Sequence, residues 1–236
     1  MVRPARIGEI SEVVYDKERW KLLRKLEQEA IKLMTPFLGL GLSPLVHGSV
    51  ARGDVGKNSD VDVFVPSTVP SYRVELALRN SGFDFWKREI VMATPWQLPK
   101  AHVYVDENRS VTFPLVKPKP LELEFYHFGG AIDFDKAEMG ARVPGVDKRL
   151  MLIEPTAQGH VESQVVGREA EVAKCVGAHI DIVRERVQVL TRRADVGHTG
   201  IFIQRTLAPG ESFEAVLRSL MYSKSEMQVG LKGRLP

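Results

Sequence analysis

Two aspartates that lie one residue apart carry the clearest chemical signal in the sequence. Asp60 and Asp62 lie in the segment SDVDVFV (59–65), in which valines alternate with the acids. Residues i and i+2 of a β-strand point to the same face, so both carboxylates would project side by side while the valines are buried. Two neighbouring negative charges are unfavourable unless a cation lies between them. The pattern therefore predicts a site for Mg²⁺ or Mn²⁺, which bind carboxylate and phosphate oxygens.

A glycine-serine pair precedes these acids, and ten residues separate Ser49 from Asp60. Gly48 follows an apolar run (42–47) that is typical of a buried strand. A glycine at a strand end lets the backbone approach a ligand, and the amide groups that begin the next helical turn can face an anion. Ser49 adds a hydroxyl donor and Arg52 adds a guanidinium that suits phosphate. An anion site followed by metal-binding acids indicates a site for a nucleoside triphosphate (NTP).

The segment GSVARGDVGKNSDVDVFV (48–65) resembles the motif of the DNA polymerase beta-like nucleotidyltransferase superfamily. It is particularly similar to the minimal nucleotidyltransferases and the archaeal tRNA nucleotidyltransferases. The resemblance covers residues 40–66 and extends more loosely to about residue 130. It implies a metal-dependent transfer of a nucleoside monophosphate from an NTP to an acceptor hydroxyl, with release of pyrophosphate. Gly48, Ser49 and Arg52 would then bind the nucleotide, and metal ions would hold the attacking and leaving oxygens.

The resemblance also implies a third carboxylate on a later strand. Apolar and acidic residues alternate over 121–128, which predicts a strand with Glu122 and Glu124 on one face. We favour Glu124, because its apolar neighbours repeat the setting of Asp62, and Glu122 is the alternative. The resemblance thus implies that Asp60, Asp62 and Glu124 are catalytic and bind the metal.

The elements that must position these residues indicate an α/β (α+β) fold. An amphipathic helix is predicted over 16–34 and another over 71–80, and strands are predicted between 89 and 116. We expect a small mixed β-sheet with helices on one face and the site at its edge, followed by a smaller α/β appendage. Residues 1–140 would form the nucleotidyltransferase domain and 141–236 a C-terminal α/β domain of unknown role.

Composition narrows the class of protein further. The chain has 236 residues, 27% of them charged, and a formal net charge of +3, without the dense basic stripe of a strong RNA-binding domain. No apolar run is long enough to cross a membrane, and the N-terminal residues lack the apolar core of a signal peptide. The single cysteine excludes an internal disulfide. We expect a cytoplasmic protein without a membrane partner.

Several functional alternatives stay open at this level. The acceptor hydroxyl could belong to an RNA 3′ end, a protein or a small molecule, and a homo-oligomer is compatible with the sequence. Four arginines between 184 and 193 have helix-like spacing, which indicates either a winged-helix reader of nucleic acid or a packing domain. A second function is a non-catalytic module that retains the fold and binds a nucleotide or a nucleic acid. Pyrophosphate release separates that module from an enzyme.

Overall fold

A computed structural model of the protein describes residues 10–197 and 200–234, which form two β-sheets and nine helices. The strands are β1 (Ser11–Val14), β2 (Leu45–His47), β3 (Val61–Phe64), β4 (Lys87–Met92), β5 (Lys100–Tyr104), β6 (Arg109–Pro114), β7 (Ala131–Asp133), β8 (Gly145–Val146), β9 (Met151–Thr156), β10 (Gly159–Gln164) and β11 (Ile203–Thr206). The helices are α1 (Lys17–Leu38), α2 (Ser49–Arg52), α3 (Ser71–Asn80), α4 (Pro120–Phe128), α5 (Phe134–Glu138), α6 (Glu169–Val176), α7 (Ile180–Val196), α8 (Phe213–Ser223) and α9 (Ser225–Gly230).

The larger sheet is mixed and has seven strands in the order β11-β4-β5-β6-β3-β2-β7. Only the β3–β6 pair is parallel among the described strands, and all other pairs in this sheet are antiparallel. The parallel pair places Asp62 of β3 opposite Ser110 of β6. The α/β class and the mixed sheet that the sequence predicts are confirmed.

One face of this sheet forms the main core with α1 and α3. The Asp16 carboxylate accepts a hydrogen bond from the Arg19 amide (2.7 Å) and so caps the start of α1. The helix continues to Leu38, past the end predicted near residue 34, and contains Pro36. Leu33 and Phe37 are fully buried in the same cluster as the valines of β3. Burial of those valines leaves Asp62 and the other alternate positions facing the opposite side.

Helix α4 covers part of that opposite face. The Tyr126 ring stacks on Phe64 of β3 with 3.6 Å between ring centroids. The strand predicted over 121–128 is wrong, because Pro120 begins a helix and the Glu122 carboxylate accepts a hydrogen bond from the Lys119 amide (2.7 Å). Burial of Tyr126 and Phe128 stabilises the helix despite its strand-like alternation of residues.

The C-terminal part of the chain contributes to both sheets. The smaller sheet has the order β1-β10-β9-β8, so the N-terminal strand pairs with residues 159–162. Helices α6 and α7 pack on this sheet and on α4 around a second apolar core that includes Leu152 and Val183. Strand β11 returns to the larger sheet beside β4, so it does not form the wing of a winged helix. The boundary near residue 140 stays a prediction.

No helix in the described parts of the chain combines the length and the apolar character needed to cross a membrane.

Candidate functional site

A cavity of about 430 Å³ lies between the Gly-Ser and Asp-x-Asp segment and the C-terminal part of the chain. The motif segment contributes His47, Gly48, Ser49, Arg52, Asp54, Asn58, Ser59, Asp60 and Asp62 to its lining. Later segments contribute Phe125, Phe128, Gly129, Val146, Asp147, Lys148, Arg186 and Leu190. Its volume is in the range of small-molecule sites. Five of the site residues predicted from the sequence therefore meet here: Gly48, Ser49, Arg52, Asp60 and Asp62.

The turn from β2 to α2 requires glycine at position 48. Gly48 has a φ of +78°, a conformation that side chains rarely adopt, and an added Cβ would meet no atom within 4 Å. Its amide donates to the Gly130 carbonyl (2.9 Å), which ties the turn to the loop after α4. The Ser49 hydroxyl then lies at the start of α2 and donates to the Ser59 hydroxyl (3.1 Å). The backbone at Gly48 therefore lines the cavity without a side chain.

Asp60 and Asp62 share the cavity wall at the start of β3. The Ser110 hydroxyl donates to Asp62 (2.6 Å), and neither carboxylate forms an ion pair within the described residues. Burial and then the neighbouring Asp62 carboxylate raise the pKa of Asp60, whereas Lys148 opposes this shift. Two close carboxylates without a protein cation form a donor set of hard oxygens, which suits a divalent cation.

Two other carboxylates of the cavity are already neutralised. Asp54 accepts hydrogen bonds from Nε and Nη2 of Arg52, both at 3.0 Å. Asp147 accepts from the Arg149 guanidinium (2.6 Å) and from the amides of Arg149 and Met151. Asp60 and Asp62 are therefore the cavity carboxylates that remain available to a metal.

Arg52 lines the cavity, but its guanidinium already donates hydrogen bonds to protein groups. The side chain is only 6% exposed, and Nη1 donates to the Gly129 carbonyl (2.6 Å) in addition to the Asp54 contacts. These bonds hold the loop at 129–130 against the motif segment. Its predicted contact with phosphate stays a prediction, and the geometry assigns it a scaffolding role.

Neither Glu124, the favoured third carboxylate, nor the alternative Glu122 lines the cavity. Glu124 accepts a hydrogen bond from the His179 amide (3.1 Å), and Glu122 forms an ion pair with Arg234. The prediction depended on a strand, whereas residues i and i+2 of a helix point in nearly opposite directions. The strand beside Asp62 carries Ser110 at the paired position. The described residues contain no group of three or more His, Cys, Asp or Glu side chains placed to hold a metal ion.

Three further polar groups near Asp62 or Arg186 are largely buried. His47 is paired with Asp62 in the sheet, and burial lowers the pKa of His47 to about 4, so its ring is neutral at pH 7. Burial and then Arg186 lower the pKa of Lys100 to about 8. The Tyr126 hydroxyl is buried near Asp62 and has no hydrogen-bond partner among the described residues.

Sequence reasoning missed Lys148 and Arg186 as members of this site. Lys148 follows β8, and Arg186 lies on α7, so both come from residues assigned to the C-terminal domain. Arg186 belongs to the arginines that suggested a nucleic-acid reader, and nothing in the spacing of 184–193 connects it with Asp60. Only the tertiary structure brings these cations to the two aspartates.

Residues 37–113 match the model of the nucleotidyltransferase domain family. The match begins in the last turns of α1, spans β2 to β6, and contains Gly48, Ser49, Asp60 and Asp62. The chain therefore carries a nucleotidyltransferase domain at residues 37–113, and this match supports the resemblance to the polymerase beta-like nucleotidyltransferase superfamily that the motif indicates. Searches of curated proteins and of solved structures found no match to the chain.

Proposed function

We propose that the protein is a metal-dependent nucleotidyltransferase that transfers a nucleoside monophosphate from an NTP to an acceptor hydroxyl. One observation carries the proposal: Asp60 and Asp62 share a cavity with the Gly48–Ser49 turn and have no cationic partner within the described chain. The family match supports nucleotidyl transfer as the general reaction. Metal dependence and turnover are the parts that we infer.

In the proposed reaction, the acceptor oxygen forms a bond to the α-phosphorus of the NTP. The bond from that phosphorus to the bridging oxygen breaks, pyrophosphate leaves, and the proton of the acceptor hydroxyl passes to solvent. Asp60 and Asp62 would hold Mg²⁺ or Mn²⁺, which when bound neutralises phosphate charge. The turn at Gly48 and the hydroxyl of Ser49 would orient the nucleotide, so catalysis depends mainly on positioning and charge.

The position of Ser110 favours a second candidate function. A later strand lies beside Asp62, and the residue paired with Asp62 there is a serine and not an acid. A site with only two acids could bind a metal-NTP complex without transferring the nucleotide. The second candidate is therefore a non-catalytic module that binds a nucleotide or a nucleic acid.

Pyrophosphate release distinguishes the two candidates. Purified protein would be incubated with ATP, GTP, CTP or UTP, with Mg²⁺ or Mn²⁺, and with the RNA, protein or small-molecule fraction of a host extract. We expect release with one fraction and its loss in Asp62→Asn, which would also identify the acceptor class. NTP binding without release in any fraction would refute the enzyme and favour the module. Release that persists in Asp62→Asn would refute the assigned site.

A further inference from the structure

The cavity contains three cationic side chains, and only one of them is neutralised by a carboxylate of the protein. Arg52 is paired with Asp54. Lys148 and Arg186 form no ion pair and no hydrogen bond with the described residues. The same cavity therefore presents two available carboxylates and two available cations.

A hydrogen-bonded turn at residues 147–151 positions Lys148 at the cavity. The Asp147 carboxylate accepts from the amides of Arg149 (2.8 Å) and Met151 (3.1 Å), and the Leu150 amide donates to the Asp147 carbonyl (3.1 Å). These bonds fix the backbone on both sides of Lys148, whose exposed side chain lines the cavity. Lys148, Asp60 and Asp62 line the same cavity, so the cation and the two acids lie within range of one ligand.

Arg186 of helix α7 also lines the cavity. Its guanidinium carbon lies 5.2 Å from the centre of the Phe125 ring, so the aromatic face holds the group from one side. Its Nε is buried and has no hydrogen-bond partner in the described chain. A guanidinium whose buried Nε has no hydrogen-bond partner is unfavourable, and a bound anion with oxygen acceptors would satisfy it.

We propose that Lys148 and Arg186 bind the β- and γ-phosphates of the NTP, in the cavity that Asp60 and Asp62 also line. The inference deepens the proposed function and depends on the nucleotide binding that it includes. Phosphate oxygens can accept hydrogen bonds from the guanidinium and the ammonium group. A metal at the two aspartates would bind other oxygens of the same triphosphate. Both cations lie outside residues 37–113, so the C-terminal part would complete the site of the nucleotidyltransferase domain.

The test compares triphosphate with monophosphate binding. Dissociation constants for ATP, GTP, CTP and UTP, and for the matching monophosphates, would be measured calorimetrically with Mg²⁺ for the full chain, Lys148→Met and Arg186→Met. We expect each variant to weaken binding of the preferred NTP about tenfold or more, as loss of a charged hydrogen bond does. Affinity for the monophosphate should change less than about twofold, because its single phosphate would not reach these cations.

Matched controls separate this role from a general loss of positive charge. Arg184 lies two residues before Arg186 on α7 and Lys57 lies in the motif loop; both are exposed and neither lines the cavity. Arg184→Met and Lys57→Met should therefore bind NTP as the unchanged protein does. Arg186→Lys should retain part of the affinity, and thermal melting of each variant would show that it is folded.

Two results would overturn the inference in distinguishable ways. The phosphate role is wrong if Lys148→Met and Arg186→Met bind NTP with normal affinity. It is also wrong if their affinities for NTP and monophosphate fall equally. In both cases the proposed function stands. If the unchanged protein binds none of the four NTPs, both the inference and the proposed function fail. NTP binding without pyrophosphate release would refute the enzyme but leave the phosphate contacts in place.

Discussion

The acid pair Asp60–Asp62 and the acid pair Glu122–Glu124 have the same local pattern and opposite surroundings. Each pair consists of two acids separated by one apolar residue. The aspartates line one cavity and have no cationic partner in the part of the chain that the structure describes. Glu122 pairs with Arg234, and Glu124 accepts from the His179 amide, so the glutamates point to different segments.

The difference follows from the period of the backbone. A strand brings residues i and i+2 to the same face, whereas a helix rotates them by about 200° relative to each other. Side-by-side carboxylates repel and are suited to a ligand that removes the repulsion. Diverging carboxylates can each find a partner within the protein, where they contribute to stability. The comparison therefore supports the proposed metal-binding role of the strand pair and a stabilising role for the helix pair.

The largest expected effect is the loss of metal binding in Asp62→Asn. Removing one of two carboxylate ligands should weaken Mn²⁺ binding at least about 100-fold, since changes even outside the ligand shell commonly cost 10–100-fold. Electron paramagnetic resonance of bound Mn²⁺ would measure this loss. Glu124→Gln is the matched control and should bind Mn²⁺ normally. Equal Mn²⁺ binding by both variants would contradict the proposal that Asp60 and Asp62 bind the metal.

The next effect is on stability and concerns Glu122. Its ion pair with Arg234 is largely buried, with side-chain exposures of 15% and 9%, and Glu122 also caps α4. Glu122→Gln should lower the free energy of unfolding by about 2 kcal/mol, because it leaves Arg234 without its counter-charge. Urea unfolding would measure the change, with Arg234→Gln and the double variant completing a cycle. A loss of NTP binding in Glu122→Gln, with stability unchanged, would reverse the assignment.

A third prediction concerns the titration of Asp60. Burial and then Asp62 raise the pKa of Asp60, so the folded state holds the Asp60 proton more tightly than the unfolded state does. The free energy of unfolding therefore falls as pH rises from the ordinary pKa of an aspartate through the raised pKa of Asp60. In Asp62→Asn the pKa of Asp60 should fall towards its ordinary value, and the variant should be no less stable at pH 7. Carboxyl ¹³C NMR would follow the titration. An unchanged Asp60 pKa would mean that the two aspartates do not interact.

The smallest expected effect is that of Glu124→Gln on stability. Glu124 accepts one amide hydrogen bond, from His179 (3.1 Å), and a glutamine oxygen can still accept it. The free energy of unfolding should fall by about 0.5 kcal/mol or less, as for a single partly exposed polar contact. The same urea experiment used for Glu122→Gln would measure it. A loss as large as that of Glu122→Gln would show that the two glutamates are not distinguished by their partners.

Local pattern was sufficient where the spacing of apolar residues matches a single backbone period. The helix predicted over 71–80 coincides with α3, and the strands predicted between 89 and 116 correspond to β4, β5 and β6 within two residues. The Gly48 turn and the Asp60–Asp62 strand follow from residue types whose backbone preferences are strong. Pattern failed at 121–128, because an alternation of apolar and acidic residues was read without the helix-starting Pro120.

The sequence by itself determined the motif turn, the strand that carries two side-by-side acids, and hence the class of chemistry that the family match supports. These features depend on glycine's access to positive φ and on the two-residue period of a strand, which act within a few residues. Only the tertiary structure decided which charges remain available. Arg52 pairs with Asp54, and Asp147 with Arg149, over only two residues, whereas the fold pairs Glu122 with the distant Arg234. It also brings Asp60, Asp62, Lys148 and Arg186 to one cavity without an ion pair among the described residues. A charge is neutralised by what lies within a few ångströms in space, and separation along the chain does not encode that distance.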